Sequence, residues 1–576
     1  MESSRNLLFI VLLFLSVLIY QAWQEDHKQI AEESQTQENS VEAYAIETPS
    51  NQNQTVVNVE TKSDDEFIDD VSAEVAAPVD TSDNIINKNI KPIEIITDKL
   101  RVILTPVGGN VISVELLEYK ETLEKNSSSI NLLENRDGRM FMAISGLYGE
   151  GAPEYKNKET LYSSEQTQYQ MSDEEKIEVN LRWTNNLGVE YIKQYVFYKG
   201  QYKIEVNYLI NNTTGKKIAN RMFASLRRDM LPERYKQESG VGMVSYLGPA
   251  YYTDEDRYKK YTFDELQEKN LKEQTENGWV AILQHYFVTA WVPQTKGINV
   301  IDSLSKVPGK SGVIQIRIIQ DWKWIEPGET AKISSTLYAG PKIQDDLKAL
   351  SNGLEKTVDY GFLWWIGEPI FALLLFLQGL VINWGVAIIL VTVVIKMLLY
   401  PLARSQYRSF AKMRILQPKL QSMKERYGDD KQQMSIKMME LYRKEKVNPL
   451  GGCFPLLIQM PVFIALYWVL MESVELRHAP FILWIEDMSV KDPYLVLPLL
   501  MGASMYLMQK MQPTSPTMDP MQQKILQMMP VFMTVFFIFF PAGLVLYWLF
   551  NNLISIAQQI YITRQFDKEQ EAGKKK

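Results

Sequence analysis

Lys396 is the only charged residue between Trp384 and Leu402, inside an otherwise apolar run. A charge at membrane depth is costly and commonly marks a substrate or ion pathway. Lys396 also stands five residues before Pro401, about 8 Å along a helix. A lysine covers much of that distance by snorkelling towards the interface. The residues alone leave both readings open. Thr392 lies one turn away, and Gln459, Asn551, Asn552, Gln558 and Gln559 place amides in other apolar segments. Facing one another, these groups would form a wet cavity within the membrane. No acid accompanies the lysine there, which weakens a proton-relay reading.

Other chemistry is sparse. The single cysteine, Cys453, excludes a disulfide framework and a thiolate zinc site. His27, His285 and His478 are too far apart in sequence to suggest a polyhistidine metal centre. His285, within the apolar stretch Trp279–Trp291, reads as a histidine packed near a strand. No carboxylate pair stands out. We therefore expect no catalytic site, no metal and no cofactor.

Phe410, Met413, Leu416, Leu420, Met423 and Tyr427 recur at three- and four-residue intervals, as do Met434, Met438 and Leu441. Gly428-Asp429-Asp430 between them supplies a helix stop and an N-cap candidate. The pattern predicts a helical hairpin over 404–446. Its methionine stripes either pack on each other or form a docking surface comprising Met413, Met423, Asp429, Asp430, Met434 and Met438, since thioethers suit varied apolar partners. Its basic residues would add attraction to anionic lipid or to RNA on a ribosome.

These residues need elements to hold them. The 576-residue chain has a formal charge of −8 and is 46% apolar, but the apolar residues crowd into 7–20 and 361–563. Leu7–Tyr20, extended by Ala22 and Trp23, reads as an uncleaved anchor over 1–23. Phe362–Val381, with Trp364 and Trp365 near Glu368, suits an interfacial amphipathic helix over 361–382. Trp384–Leu402, Val447–Met471 and Pro493–Gln509 each read as a span. Ile525–Thr563 holds two more, turning at Phe540-Pro541-Ala542-Gly543. The expected fold is a multi-domain membrane protein with six spans, five of them in a core over 383–565.

Between Leu402 and Val447, twelve basic residues face five acidic ones. That segment is cytoplasmic by the positive-inside rule, with the basic tail 566–576 on the same side. Both termini are then inside, and residues 24–360 lie outside, in a periplasm for a two-membrane bacterium. Residues 24–90, polar and poor in aromatics, should be a disordered tether. From there period-two alternation begins: Ile204, Val206, Tyr208 and Ile210 share one face. Turn signals at 185–188, 199–201 and 211–215 fit an all-β sandwich over 91–345.

The C-terminal motifs resemble the YidC-type membrane protein insertases (the YidC/Oxa/Alb family). Asn383-Trp384-Gly385, Tyr400-Pro401-Leu402, Ala411-Lys412-Met413-Arg414, Tyr427-Gly428-Asp429-Asp430-Lys431, Asn448-Pro449-Leu450-Gly451-Gly452-Cys453-Phe454-Pro455, Leu457-Ile458-Gln459-Met460-Pro461 and Pro541-Ala542-Gly543-Leu544-Val545-Leu546-Tyr547 carry it. The order of anchor, tether and β domain resembles the Gram-negative form.

The resemblance implies a nucleotide-independent insertase of the bacterial inner membrane. Its five core spans would enclose a hydrophilic groove open to cytoplasm and lipid and closed towards the periplasm. Lys396 takes the place of a groove arginine and keeps its charge without the bidentate fork. Thr392, Gln459, Tyr547, Trp548 and Asn551 would line the groove, Trp548 standing where a tyrosine is often found. Val447–Met471 and Ile525–Phe539 would provide an apolar slide. The implied partners are newly made membrane proteins, the Sec translocon with its accessory subunits, the ribosome, the signal-recognition-particle receptor and membrane lipid. Two other classes stay open on the residues alone: a transporter or channel, and an anchored carbohydrate-binding or carbohydrate-processing domain.

Overall fold

The computed structural model describes residues 90–155, 160–233, 246–305, 312–427, 431–445, 454–512 and 520–574. The expected anchor over 1–23 lies outside the described residues, as do 24–89 of the tether, Asp429, Asp430 and Cys453.

Alternation builds the β domain. Strand Lys203–Asn211 buries Ile204, Val206, Tyr208 and Ile210, and pairs antiparallel with Glu190–Tyr198 and Thr330–Pro341. These belong to a nine-stranded sheet. An eleven-stranded sheet contains Leu100–Thr105, Asn110–Lys120, Ile218–Asp229 and Val313–Ile319. Trp291 of the first sheet donates its Nε1–H across the core to the Ser225 carbonyl of the second, at 3.1 Å. Gly188 and Gly200 turn the chain at φ 84° and 72°, a region that L side chains resist. Two short helices interrupt the β structure: α1 (Phe263–Glu268), opened by a Thr262/Glu265 capping box, and α2 (Gln344–Leu350).

The rest is helical: α3 (Trp364–Val381), α4 (Trp384–Leu398), α5 (Tyr400–Tyr427), α6 (Lys431–Lys444), α7 (Phe454–Glu472), α8 (Val496–Met511), α9 (Pro520–Phe537) and α10 (Ala542–Lys574). Ile382 ends α3 in the left-handed region, and Asn383 caps α4 by accepting from the Val386 N–H at 3.0 Å. The break expected at 383–385 therefore has a cap as its cause. At Leu399 the helix bends by 68° into α5.

Six spans do not emerge from helix length. Among the described residues, only Gly361–Val381 is by itself long and apolar enough to cross a membrane, while α4 and α5 pass only as a bent pair. For α4 and α8 the physical reason is shortness; the 33-residue α10 is long enough, but Asn551, Asn552, Gln558 and Gln559 interrupt its apolar part. The 15 residues of α4 and 16 of α8 reach about 22 and 24 Å, against a hydrocarbon core of about 30 Å.

The sandwich and the helices share one apolar core, running through Tyr286, Leu354, Tyr360, Phe371 and Val469. At their junction His285 Nε2 lies 2.9 Å from the Met471 carbonyl oxygen, and Lys342 Nζ lies 3.7 Å from Glu472 Oε2. Arg477 donates to the Glu121 carbonyl at 3.1 Å. His285 thus joins the two parts of the molecule.

Candidate functional site

Three helices bring the site together. Lys396 comes from the last turn of α4, Gln459 from α7 and Asn551 from α10. Lys396 Nζ donates to Gln459 Oε1 at 3.2 Å and to Ser555 Oγ at 2.8 Å. Gln459 Nε2 donates in turn to Asn551 Oδ1, and Ser555 Oγ to the Asn551 carbonyl at 2.7 Å. Gln558 Nε2 donates to the Lys396 carbonyl at 3.3 Å. The ammonium points inward, with Lys396 only 7% exposed, rather than outward to the interface.

Ser555 was missing from the sequence-based set. It stands four residues after Asn551, on the same helical face, and that spacing could have found it. Lys396 forms no ion pair among the described residues. An ammonium has three N–H donors, and two neutral acceptors take two of them. What remains is a buried positive charge with a donor to spare.

The other polar residues separate. Thr392 Oγ1 bonds back to the Ile388 carbonyl of its own helix at 2.7 Å and does not join the network. Asn552 and Gln559 face α8 instead, donating to Ser504 Oγ and the Met511 carbonyl, each at 3.0 Å. The expected single cavity is therefore two polar seams on either side of α10. In this arrangement the groups stay largely buried, and Gln558 Oε1 and Gln559 Oε1 have no hydrogen-bond partner among the described residues.

Tyr547 and Trp548 lie one turn before Asn551 on α10, among aromatic rings. Tyr547 stacks on Phe463 at 6.2 Å between centroids, and Trp548 meets the same ring edge-on at 4.4 Å. Beyond them the loop between α7 and α8 caps the end of the bundle nearer the sandwich. Its Val490 and Met488 carbonyls accept from Ala542 and Gly543 at 2.7 and 3.0 Å, and the Phe481 carbonyl accepts from Asn383 Nδ2 at 2.9 Å.

In the hairpin, Met413 and Met438 pack on Leu416, Leu420 and Tyr442. Met423 and Met434 are half-buried. The more exposed apolar side chains are Ile415, Ile436 and Met439, which the periodicity did not single out. Lys419 bridges to Glu445 at 2.7 Å across the hairpin. The tail expected over 566–576 continues α10 as far as Lys574. Its Asp567 pairs with Arg414 at 3.1 Å, and its Glu569 with Arg408.

A family model described as the YidC periplasmic domain matches residues 92–373, and one described as 60Kd inner membrane protein matches residues 376–570. The chain is 46% identical over 573 residues to a Shewanella woodyi protein named membrane protein insertase YidC, covering 99% of each chain. It is likewise 46% identical over 572 residues to the protein of that name from Shewanella pealeana, again covering 99% of each. A solved structure described as an active YidC insertase aligns at 19% identity over 82% of this chain and 92% of its own, with a TM-score of 0.34. That score is too low to carry an argument about shape.

Proposed function

This chain belongs to the YidC family of membrane protein insertases, and we propose that it inserts newly made membrane proteins by receiving a short polar segment at Lys396 and releasing the following apolar helix into lipid. The family is not a catalytic one, and no reaction chemistry is required. The observation that carries the proposal is the inward-facing Lys396 ammonium. It is held by two neutral acceptors and has no carboxylate partner among the described residues. Such a charge attracts an acidic or polar segment and keeps a donor for it.

Entry of a segment would exchange the bonds among Lys396, Gln459, Asn551 and Ser555 for bonds to the substrate, opening the groove that is closed in this arrangement. The short α4 and α8 support a locally thinned barrier, since a bilayer thins around spans shorter than itself. Burial of the substrate's apolar helix supplies the drive, favourable by about 0.3–0.6 kcal/mol per Leu, Ile, Phe or Val. The flank of α9, where Ile525, Met528, Phe532 and Val535 are exposed, suits the apolar slide.

We place the protein in a bacterial inner membrane with five core spans (α4, α7, α8, α9 and the first part of α10) and a sixth near the amino terminus. Helix α3 lies at the outer interface, where the exposed Phe362, Trp364 and Trp365 make an aromatic belt. Both termini and the hairpin face the cytoplasm, and the sandwich faces the periplasm. The hairpin would meet the ribosome or the signal-recognition-particle receptor, and the membrane core the Sec translocon.

The test is insertion of a single-span protein into liposomes holding the purified chain, read by protease protection without nucleotide or translocon. Protection is expected with wild type and Lys396→Arg, and loss with Lys396→Glu. Equal protection in all variants, Lys396→Ala included, would remove the lysine from the mechanism.

A further inference from the structure

Four of the six non-glycine residues with positive φ among the described residues lie at the joints of the helical bundle: Ile382 between α3 and α4, and His478, Leu483 and Leu495 between α7 and α8. Three of these are aliphatic. A branched or bulky side chain is disfavoured in this region, where glycine serves at less cost. Such strain persists only where the surroundings impose it, and it gathers at functional positions. Ile382 is 84% exposed and Leu483 81%, so packing inside the protein does not offset it for either side chain.

The turn that carries Leu483 is held firmly. The Phe481 N–H donates to the Ile485 carbonyl at 2.9 Å, and the Ile485 N–H to the Ile482 carbonyl at 3.2 Å. Phe481 and Trp484 pack against the core, and Trp484 Nε1–H donates to Asp492 Oδ1 at 2.9 Å. Ile482 and Leu483 are left exposed at the tip, in a stretch from Ala479 to Ile485 that contains no charge. The tip is tied to the start of α4. Asn383 Nδ2 donates to the Phe481 carbonyl, and the Phe481 ring packs so closely on Gly385 that a Cβ there would collide with it. That contact joins the residue after Ile382 to the residue before Ile482. On the other side, α3 exposes Phe376 and Leu380 one turn apart, just before Ile382.

We propose that Ile482 and Leu483, with Ile382, sit among the acyl chains of the outer leaflet and hold the outer end of α4 at a fixed depth. The proposal rests on the insertase reading and its placement in the membrane. Lipid is the occupant because the tip continues the exposed apolar surface of α3. It is also built from Ile and Leu, whereas protein partners are anchored mainly by Trp, Tyr and Arg. A helix shorter than the hydrocarbon core does not fix its own depth, since the bilayer can adapt at either end. Lys396 stands 13 residues after Asn383, about 20 Å along the helix. The tip therefore sets the depth at which the Lys396 ammonium meets a substrate.

The experiment uses the full chain in liposomes, with Cys453→Ser so that one added cysteine carries a fluorophore. A label at Leu483→Cys should be quenched by lipids brominated on the acyl chain and protected from iodide in the water. Quenching by iodide alone would overturn the lipid contact. A label at Val394→Cys, an exposed position of α4, reads the depth of that helix from lipids brominated near to or far from the headgroup. Leu483→Asp should shift the near-to-far quenching ratio, whereas Leu483→Met should leave it as in wild type. Leu483→Gly suits the φ of the turn and removes the side chain, so it should shift the ratio even should Leu483→Asp fail to fold. An unchanged ratio in both would overturn the control of depth. Insertion of a single-span reporter by the wild-type chain separates the two readings: its absence would overturn the insertase reading, while the quenching still decides where the tip lies.

Discussion

Lys193 lies wholly inside the sandwich, its Nζ donating to the Gly108 and Ser145 carbonyls at 2.9 and 2.8 Å. Glu154, also buried, accepts from the Leu147 N–H at 2.9 Å and the Tyr162 hydroxyl at 2.7 Å. Burial pushes the lysine down to about 7 and the carboxyl up, and each charge opposes the other's shift. Removing one partner leaves the other charge uncompensated. Lys193→Met should therefore cost about 3–5 kcal/mol, seen as a lower melting temperature of the full chain in detergent. Adding Glu154→Gln should recover much of the loss, and no recovery would mean that the backbone contacts of Lys193, not its charge, hold the fold.

At the scale of elements, short helices depend on their ends. Asn383 caps α4 and also ties it to the outer loop through Phe481. Asn383→Ala should cost about 1 kcal/mol and speed hydrogen exchange at the first turn of α4, with the end at Leu398 unchanged. Uniform acceleration along α4 would show the cap to be incidental. Interhelical approach is set as tightly: a Cβ at Gly502 would collide with Thr534, so α8 and α9 meet there only because α8 carries glycine. The break at 383 was legible in sequence, because capping signals are local, whereas the stop expected at Gly428-Asp429-Asp430 lies outside the described residues. The 68° bend after Leu398 shows less plainly, since a Tyr-Pro pair marks a boundary without stating an angle.

At the scale of the molecule, the sandwich is seated on the end of α7 through groups that titrate in opposite senses. Burial, aided by the Lys342 ammonium, pushes His285 from 6.5 down to about 3. A lowered histidine stabilises the junction above about 6.5 and loses that contribution as pH falls towards 3. Burial, with Asp345 adding, pushes Glu475 from 4.5 up to about 7. A raised carboxyl stabilises the junction fully below about 4.5 and loses that contribution as pH rises through 7. Between these limits the two slopes offset, so wild-type docking should vary little with pH. Glu475→Gln should leave a junction that loosens on acidification below 6.5, and His285→Gln one that loosens as pH rises towards 7. Hydrogen exchange over 471–477 would follow both. Identical profiles in all three proteins would remove these groups from the joint.

The sequence by itself determined the class of elements and their order: alternating strands, apolar helices, a basic hairpin and the motifs of one insertase family. Those properties are written in periodicity, caps and charge, which act over a few residues. Only the tertiary structure decided which way Lys396 points, that Ser555 holds it, that Asn552 and Gln559 turn to another seam, and that Met413 and Met438 face their own hairpin core. Each of these depends on how one helix is rotated against another. That rotation follows from packing between segments distant in the chain, such as α4 with α10, which no local pattern encodes. His285 shows the same limit. Its place near a strand was readable, but its partner Met471 lies 186 residues away.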